Sequence, residues 1–286
     1  MMKIQILSDL HLESPKSYTG DGAFDITPKA PYFALLGDIG YAVQHKNEYL
    51  AFLEAQLYRF KVVLLVPGNH ECYKSTWPET IAVLREFEED VRVRREKQAQ
   101  AQLGEFILLN RNTYIPASHP EIAILGCPLF SNIPPSSSDE VTYRLSDFNP
   151  EIGTSNWTVS AHNSAHKQDL FWLNYTVSAL EHANNRIKKI VILTHWAPTR
   201  DKRAVDPAHY RDEKGREKEN ILESAFSTDL SGQACFKTGK VKVWAFGHTH
   251  WNCDFVVEKG LKTTAVTRGS FSRLAAGFDV GKVVEL

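Results

Sequence analysis

Five short apolar segments share the feature that most constrains the fold: each ends directly at side chains that can bind a metal. The segments are 3–7, 33–36, 62–66, 190–193 and 241–246. They are rich in Val, Ile and Leu and mostly continuous rather than alternating, which predicts strands buried on both faces. Functional sites of α/β sheets lie beyond the carboxyl ends of the strands. We therefore expect these five strand ends to meet at one cleft.

Segments with helical spacing separate the early strands. Residues 44–60 repeat apolar side chains at helical intervals, and 76–103 combine an apolar face with a densely charged face. The charged face mixes both signs, which favours a solvated surface over a nucleic-acid contact. Phe171, Trp172 and Tyr175 recur at helical spacing further along the chain, and we expect them to pack in the core.

The remaining segments predict one α/β domain that spans 1–286. Further short strands are expected at 122–126, 255–257, 263–266 and 283–286. Residues 128–163 and 199–239 read as long loop insertions, because the first is rich in Pro and Ser and the second is polar and charged. Loops of this length usually carry function, so both are candidate walls or lids of a substrate site.

Composition excludes several classes of protein. The chain has 286 residues with 33 basic and 34 acidic side chains, and a formal net charge of -1. This balance argues against duplex nucleic acid or a membrane as a partner. Four widely spaced cysteines argue against a disulfide scaffold and a zinc ribbon. The N-terminal apolar run is interrupted by polar residues and no stretch is long enough to span a bilayer, so we expect a cytoplasmic protein.

The side chains that follow the five strands form a series of short motifs. In chain order they are Asp9 and His11, Gly37 and Asp38, Gly68-Asn69-His70-Glu71, His195, and His248 and His250. The last pair is the most informative single motif, because two imidazoles two residues apart after a buried strand are unusual and His readily binds divalent transition metals. Each other motif alone is also compatible with an ordinary turn.

Taken together and in this order, the motifs resemble the signature of the calcineurin-like metallophosphoesterase superfamily, from Asp9 to a closing strand near 283–286. The resemblance implies a four-layer αββα sandwich, in which two mixed sheets face each other with helices outside. It also implies two divalent metal ions, for which the mixed oxygen and nitrogen ligands suit Mn, Fe or Zn. Two such ions neutralise a phosphate ester and activate water for attack.

The resemblance also implies a role for each motif residue. One metal would be held by Asp9, His11 and His250, the other by Asn69, His195 and His248, and Asp38 would bridge them. His70 would be catalytic rather than a ligand: it would face the substrate, stabilise the phosphoryl charge and protonate the leaving oxygen. Glu13 and Glu71 are expected either to orient ligand histidines or to be solvated turn carboxylates.

Departures from the protein phosphatases of this superfamily narrow the expected activity. Those enzymes usually carry G-D-x-V-D-R-G and R-G-N-H-E, whereas this chain has G-D-I-G-Y at 37–41 and P-G-N-H-E at 67–71. The second Asp and both phosphate-gripping arginines are missing. We therefore expect hydrolysis of phosphodiester bonds in a small phosphoester, with nucleotides among the candidates. The alternatives are a phosphomonoesterase with the same metal core and a non-catalytic scaffold with the same fold.

Six side chains in or beside the two long loops are candidate substrate contacts. They are Trp157, His162, Arg200, Arg203, His209 and Arg211. Their aromatic rings and positive charges suit a phosphorylated ligand, but surface residues of the same types are common. Position in the sequence does not separate the two interpretations.

Overall fold

Two β-sheets form the centre of the computed structural model, which describes residues 1–97, 103–182, 186–257, 260–270 and 273–286. In chain order the strands of these residues are β1 (Lys3–Leu7), β2 (Tyr32–Leu35), β3 (Val62–Leu65), β4 (Glu105–Leu108), β5 (Asn112–Tyr114), β6 (Ile122–Gly126), β7 (Lys189–Leu193), β8 (Val241–Phe246), β9 (Cys253–Val256), β10 (Lys262–Ala265), β11 (Gly269–Ser270), β12 (Arg273–Leu274) and β13 (Val283–Glu285). The helices are α1 (Lys46–Leu57), α2 (Trp77–Lys97), α3 (Ser138–Arg144), α4 (Val159–His182), α5 (Glu223–Phe226) and α6 (Ala234–Lys237).

Both sheets are mixed, as the sequence predicts. Over the described residues the first sheet has the order β13-β1-β2-β3-β4, and the second has the order β5-β6-β7-β8-β10-β9. In the first sheet β13 is antiparallel to β1 and the other pairs are parallel. In the second, β5 and β9 are the antiparallel edge strands of a parallel core. The central parallel strands therefore point their carboxyl ends to one edge of each sheet.

The helices cover the outer faces of the two sheets. Alternate residues of β6 show this: Ile122 and Ile124 belong to the hydrophobic cluster that fills the space between the sheets, whereas Ala123 and Leu125 face a second cluster with α4. The first cluster also includes buried residues of α1 and α2. Because β2, β3 and β6 are covered on both faces, their sequences are continuous apolar runs. The layers are helix, sheet, sheet and helix, which confirms the expected αββα sandwich.

The two early helices lie where the sequence predicts them. α1 falls inside the predicted 44–60. α2 begins just after Thr76, whose hydroxyl accepts from the backbone N–H of Glu79 at 3.3 Å while the Glu79 carboxylate accepts from the Thr76 N–H at 2.9 Å. This reciprocal pair satisfies two amides that the first helical turn leaves without partners. The last part of the predicted helix, 98–102, lies outside the described residues.

The start and orientation of α4 differ from the prediction. The loop expected over 128–163 ends earlier, because the hydroxyl of Thr158 accepts from Ala161 N–H at 3.1 Å and starts the helix at Val159. Phe171 and Tyr175 were expected in the core, but they are 73% and 68% exposed. That prediction was wrong because α4 turns its other face inward, with polar side chains that bond to neighbouring backbone.

The long loop insertions contain short helices rather than uniform coil. α3 lies in 128–163, and α5 and α6 lie in 199–239. Some strands were missed from the sequence, namely β4, β5, β11 and β12, and the strand expected at 255–257 is β9, which begins two residues earlier. These strands are short or lie at sheet edges, where apolar patterning is weakest.

The cysteines behave as their spacing predicts. All four are free thiols and three are buried, which confirms the absence of a disulfide scaffold. Burial raises the pKa of Cys127 and Cys235, so both thiols stay neutral at pH 7. Among the helices of the described residues, none is both long and apolar enough to cross a membrane.

Candidate active site

Backbone strain concentrates at the strand ends where the sequence places its metal-binding motifs. Asp9, His11, Asp38, His248 and His250 all have φ between 47° and 66°, in the left-handed region. Such a conformation costs about 1–3 kcal/mol for a non-glycine residue and persists only where the surroundings impose it. Here neighbouring loops impose it, since Asp9 N–H donates to Gly37 O and His11 N–H donates to Asp38 O, both at 3.0 Å. These turns direct five polar side chains into one cleft.

Three glycines allow the strand-end loops to approach closely. Gly37 has a φ of 88°, which suits glycine, and it lies against the backbone of Gly68. Gly68 and Gly247 are needed for space instead: an added Cβ would lie 2.7 Å from Asp38 N in the first case and 2.8 Å from Asp9 Oδ2 in the second. Asp38 and Asp9 therefore pack against Gly68 and Gly247, where the side chain of any other residue would collide with them.

A first group of donor atoms combines Asp9, His11, Asp38 and His250. One ligand atom from each lies within 4.8 Å of every other. The His11 and His250 Nε2 atoms are 3.3 Å apart, and Asp9 Oδ1 is 3.3 Å from the latter. Ligand atoms about 2.1 Å from one cation stand roughly 3.0–3.4 Å from each other, so these spacings fit a shared metal ion.

A second group lies on the other side of Asp38. It contains His195 and His248, and the Asn69 amide joins it. Measured from His195 Nε2, the distances are 3.1 Å to Asn69 Oδ1, 3.1 Å to His248 Nδ1 and 3.4 Å to Asp38 Oδ1. Asp38 belongs to both groups, which is the position of a bridging carboxylate. The structure therefore brings all seven expected ligands together.

The hydrogen bonds behind the second group leave acceptors facing one point. His195 Nδ1 lies 2.7 Å from Leu36 O and can only donate there, so in the neutral ring Nε2 carries the lone pair. The Asn69 amide nitrogen donates to Tyr73 Oη at 3.1 Å, which turns Oδ1 toward His195. Buried acceptors that converge without a donor require a positive charge. The described donor set therefore fits a divalent cation at each group, although it does not select the metal.

Electrostatics in the cleft show the same demand for positive charge. Burial opposes a charge on His195, but Asp38 and Asp9 outweigh it and raise the pKa to about 9. Burial also opposes ionisation of Asp9, yet the neighbouring His250 and His195 lower its pKa below the usual range. His248 stacks on the Phe226 ring at 4.9 Å and meets the tilted Trp196 ring at 4.7 Å. Its buried Nε2 has no hydrogen-bond partner among the described residues.

His70 lies beside the two donor groups. Its backbone N–H donates to Asp38 Oδ1 at 2.9 Å, its Nδ1 lies 2.7 Å from Glu13 Oε1, and its Nε2 lies 4.0 Å from Asp38 Oδ2. Burial opposes its charge, but Asp38 and Glu13 raise the pKa to about 9. Tyr73 stacks on the ring at 4.2 Å. The ring therefore faces the space beside Asp38 with Nε2.

Glu13 and Glu71 are both buried, so the interpretation as solvated turn carboxylates is wrong for each. Glu13 contacts two histidines, since its Oε1 is also 3.3 Å from His11 Nδ1. Glu71 contacts backbone rather than a ligand histidine: it accepts N–H bonds from Asp38, Ile39 and Gly68 at 2.9, 2.8 and 2.7 Å. It therefore ties together the loops that carry Asp38 and Asn69.

A pocket of about 300 Å³ adjoins the donor groups at His248 and His250. Its outer wall includes Phe226, Trp251, His209 and Arg273, and Arg273 lies 3.6 Å from Asp206. The sequence had indicated only His209 among these wall residues. The others were missed because they come from separate segments that meet only in the folded chain.

The other five candidate substrate contacts lie elsewhere. Trp157 and His162 pack in an aromatic cluster with Phe130, and His162 accepts from Ser131 N–H at 3.0 Å. Arg200 lines a neighbouring cavity. Arg203 pairs with Asp201 at 2.6 Å and lies over the Phe255 ring, and Arg211 contacts Gly215 O at 3.5 Å.

The chain is similar in sequence or in fold to several known proteins. The family model described as calcineurin-like phosphoesterase matches residues 2–252. An uncharacterized protein of Acanthamoeba polyphaga mimivirus, L509, is 26% identical over 270 residues, which cover 90% of this chain and 87% of the viral protein. The phosphopantetheinyl hydrolase of Mycobacterium tuberculosis superposes with a TM-score of 0.62 at 14% identity, with 94% of this chain and 90% of that chain covered. A dimetal phosphatase from Danio rerio gives a TM-score of 0.47 at 13% identity, with coverage of 93% and 87%.

Proposed function

Since the chain belongs to the calcineurin-like phosphoesterase family, we propose that it is an enzyme that hydrolyses phosphoesters at a centre of two divalent cations. The observation that carries this proposal is the presence of Asp38 in both donor groups. A carboxylate shared by two clusters of buried acceptors is the arrangement that a two-metal hydrolase requires. The family and the paired donor groups together support a dinuclear divalent metal site.

The donor groups suggest how the ligands divide between the two cations. Asp9, His11 and His250 would hold one ion, Asn69, His195 and His248 would hold the other, and Asp38 would be shared by both. When bound, the two cations neutralise phosphate charge and supply an activated water. Mn, Fe and Zn all suit this mixture of carboxylate, amide and imidazole ligands.

His70 contributes acid catalysis in this proposal. Its Nε2 lies close to the bridging Asp38 but outside both ligand sets, so it can reach an oxygen of a bound phosphoester. A protonated imidazole there stabilises the phosphoryl charge and donates a proton to the leaving oxygen. Such proton transfer contributes about 10²–10⁴-fold to the rate of comparable enzymes.

The pocket beside His248 and His250 favours a phosphodiester as substrate. A diester carries a substituent on each side of the phosphate, and this pocket of about 300 Å³ offers room for the second one. Phe226 and Trp251 supply apolar surface, and Arg273 supplies a positive charge at the rim. The solved structure with TM-score 0.62 is named a phosphopantetheinyl hydrolase, which supports a small phosphoester. A nucleotide fits the same combination of aromatic and cationic groups.

Hydrolysis of paired aryl phosphates tests the proposal. Manganese-loaded wild type is assayed with bis(p-nitrophenyl) phosphate and p-nitrophenyl phosphate, alongside His70→Ala and Asp38→Asn. The exposed His182→Ala and Asp90→Asn serve as matched controls, since His182 bonds to Ser178 O and Asp90 pairs with Arg94, each on its own helix. We expect diester cleavage that collapses in the two site variants and persists in the controls.

Each other result has a defined meaning. Cleavage of the monoester alone keeps the metal mechanism and reverses the substrate class. Full activity in His70→Ala removes that residue from catalysis. A wild type that binds two metals but cleaves neither ester favours the non-catalytic scaffold.

A further inference from the structure

Glu13 is a buried carboxylate to which the ligand assignment gives no role. Its side chain is 1% exposed, and its Oε1 contacts Nδ1 of His70 at 2.7 Å and Nδ1 of His11 at 3.3 Å. We propose, on the premise of the phosphoesterase function above, that Glu13 is a positioning residue that acts through His70. It accepts the Nδ1 proton of His70 and thereby holds Nε2 toward the bound phosphoester.

Among the described contacts of His70, the short hydrogen bond to Glu13 distinguishes the two ring nitrogens and favours one ring orientation. Tyr73 stacks on one face at 4.2 Å, and His11 meets the ring edge-on at 4.4 Å. Ring contacts of this kind restrain the plane of an imidazole but do not distinguish Nδ1 from Nε2. The Glu13 carboxylate does distinguish them, because a carboxylate accepts and never donates when ionised. With Nδ1 turned to Glu13, Nε2 stands 4.0 Å from Asp38 Oδ2.

The step that this arrangement serves is the departure of the leaving group. The oxygen of the attacking water bonds to phosphorus, and the bond from phosphorus to the leaving oxygen breaks. The leaving oxygen keeps that electron pair and takes the proton from His70 Nε2. The proton released by the attacking water returns to solvent, from which His70 is reprotonated, so one water is consumed for each ester cleaved.

A competing role for Glu13 runs through His11. The same Oε1 could orient that ligand histidine and so support one metal ion. The distances favour His70, because 2.7 Å is a short charge-assisted hydrogen bond and 3.3 Å is a long one. The two roles differ in what they control: His11 affects metal binding, and His70 affects the leaving group.

Leaving-group dependence separates these roles. The assay compares bis(p-nitrophenyl) phosphate, which has a good leaving group, with diphenyl phosphate, which has a poor one. For Glu13→Leu we expect kcat on diphenyl phosphate to fall about 10–100-fold, with a much smaller loss on the nitrophenyl ester and unchanged bound metal. Glu13→Gln keeps an acceptor oxygen and should recover part of the rate. Glu151→Leu, which removes an exposed carboxylate, is the matched control.

A double variant tests whether Glu13 acts through His70. Once His70→Ala is in place, adding Glu13→Leu should cost little more, because the group it positions is gone. If the double variant instead loses kcat by the product of the two single losses, the two residues act independently and the proposal is overturned. Equal losses on both diesters accompanied by lower metal content also overturn it, since they assign Glu13 to His11. If only monoesters are turned over, the corresponding aryl monoesters replace the diesters.

An NMR measurement keeps the proposal testable without turnover. In zinc-loaded protein with ¹⁵N-labelled histidine, we expect a proton on Nδ1 of His70 in the wild type and its loss in Glu13→Leu. Glu13→Gln is used in both experiments if the leucine variant does not fold. A wild-type His70 without a proton on Nδ1 overturns the positioning role. If this proton is present but the wild type hydrolyses no aryl ester, the proposed function is refuted and the positioning of His70 by Glu13 still holds.

Discussion

The Glu71→Gln variant exposes how strongly one buried carboxylate holds the two loops of the metal centre. Glu71 Oε2 accepts from the backbone N–H groups of Asp38 and Gly68, and Oε1 accepts from Ile39 N–H and from the Tyr49 hydroxyl at 3.1 Å. In glutamine one of these oxygens becomes an amide NH₂. Whichever way that amide turns, the NH₂ faces two donors that then lack an acceptor.

The cost of this change follows from the number of donors left without a partner. A buried donor without an acceptor costs about 1–3 kcal/mol, so two such donors lower the free energy of unfolding by about 2–6 kcal/mol. Urea denaturation measures this loss, with the exposed Glu151→Gln as matched control. Metal affinity should fall as well, because the displaced loops carry Asp38 and Asn69. A loss of stability below about 1 kcal/mol would falsify the claim that Glu71 ties these loops together.

Two further predictions concern space and charge. Gly247→Ala places a Cβ 2.8 Å from Asp9 Oδ2 and closer still to Ser8, so metal titration should show weaker binding, and wild-type affinity would contradict the packing argument. Burial raises the pKa of Asp169 to about 7, although Arg111 opposes this shift. Between about pH 4 and pH 7 the folded chain therefore binds more protons than the unfolded chain. Stability should therefore fall as pH rises through this window, by up to about 4 kcal/mol. Denaturation in EDTA at both ends of the window should show a smaller fall for Asp169→Asn, and an unchanged fall would contradict the assignment.

The central strands were predictable because covering both faces of a sheet requires an unbroken apolar run. β2 and β3 are of this kind, and both lie within one residue of where the sequence places them. β4 was missed because its side chains alternate between half-buried and buried, and it lies at a sheet edge. β5 was missed for a similar reason, since all of its residues are half-exposed. Edge strands gain their stability from backbone pairing, which residue identity encodes weakly.

The orientation of α4 shows how a periodic pattern can indicate the wrong face. The aromatic residues suggested an apolar core face, but the buried face includes His166 and Asp169. His166 Nδ1 bonds to Leu129 O at 3.0 Å, and Asp169 accepts from Leu129 N–H at 2.8 Å. Polar residues can be buried when neighbouring backbone satisfies them, and the sequence does not indicate which backbone that is.

The metal-binding motifs were recognisable because the chemistry restricts the residue types. Carboxylate, amide and imidazole side chains at strand ends leave few other interpretations when they recur five times. The role of Glu71 was not recognisable, because its partners are main-chain amides. One of them, Asp38 N–H, lies about thirty residues earlier in the chain. Such contacts depend on loop geometry and leave no pattern of residue types.

The number of metal ions bound per chain tests the central claim most directly. Purified protein is loaded with Mn²⁺ or Zn²⁺, dialysed, and measured by inductively coupled plasma mass spectrometry, together with His11→Ala, His195→Ala and Asp38→Ala. The account predicts two ions in the wild type, one in each histidine variant, and fewer still when the shared carboxylate is removed. A wild type that retains no ion, or variants that retain both, would contradict the assignment of a dinuclear centre to these residues.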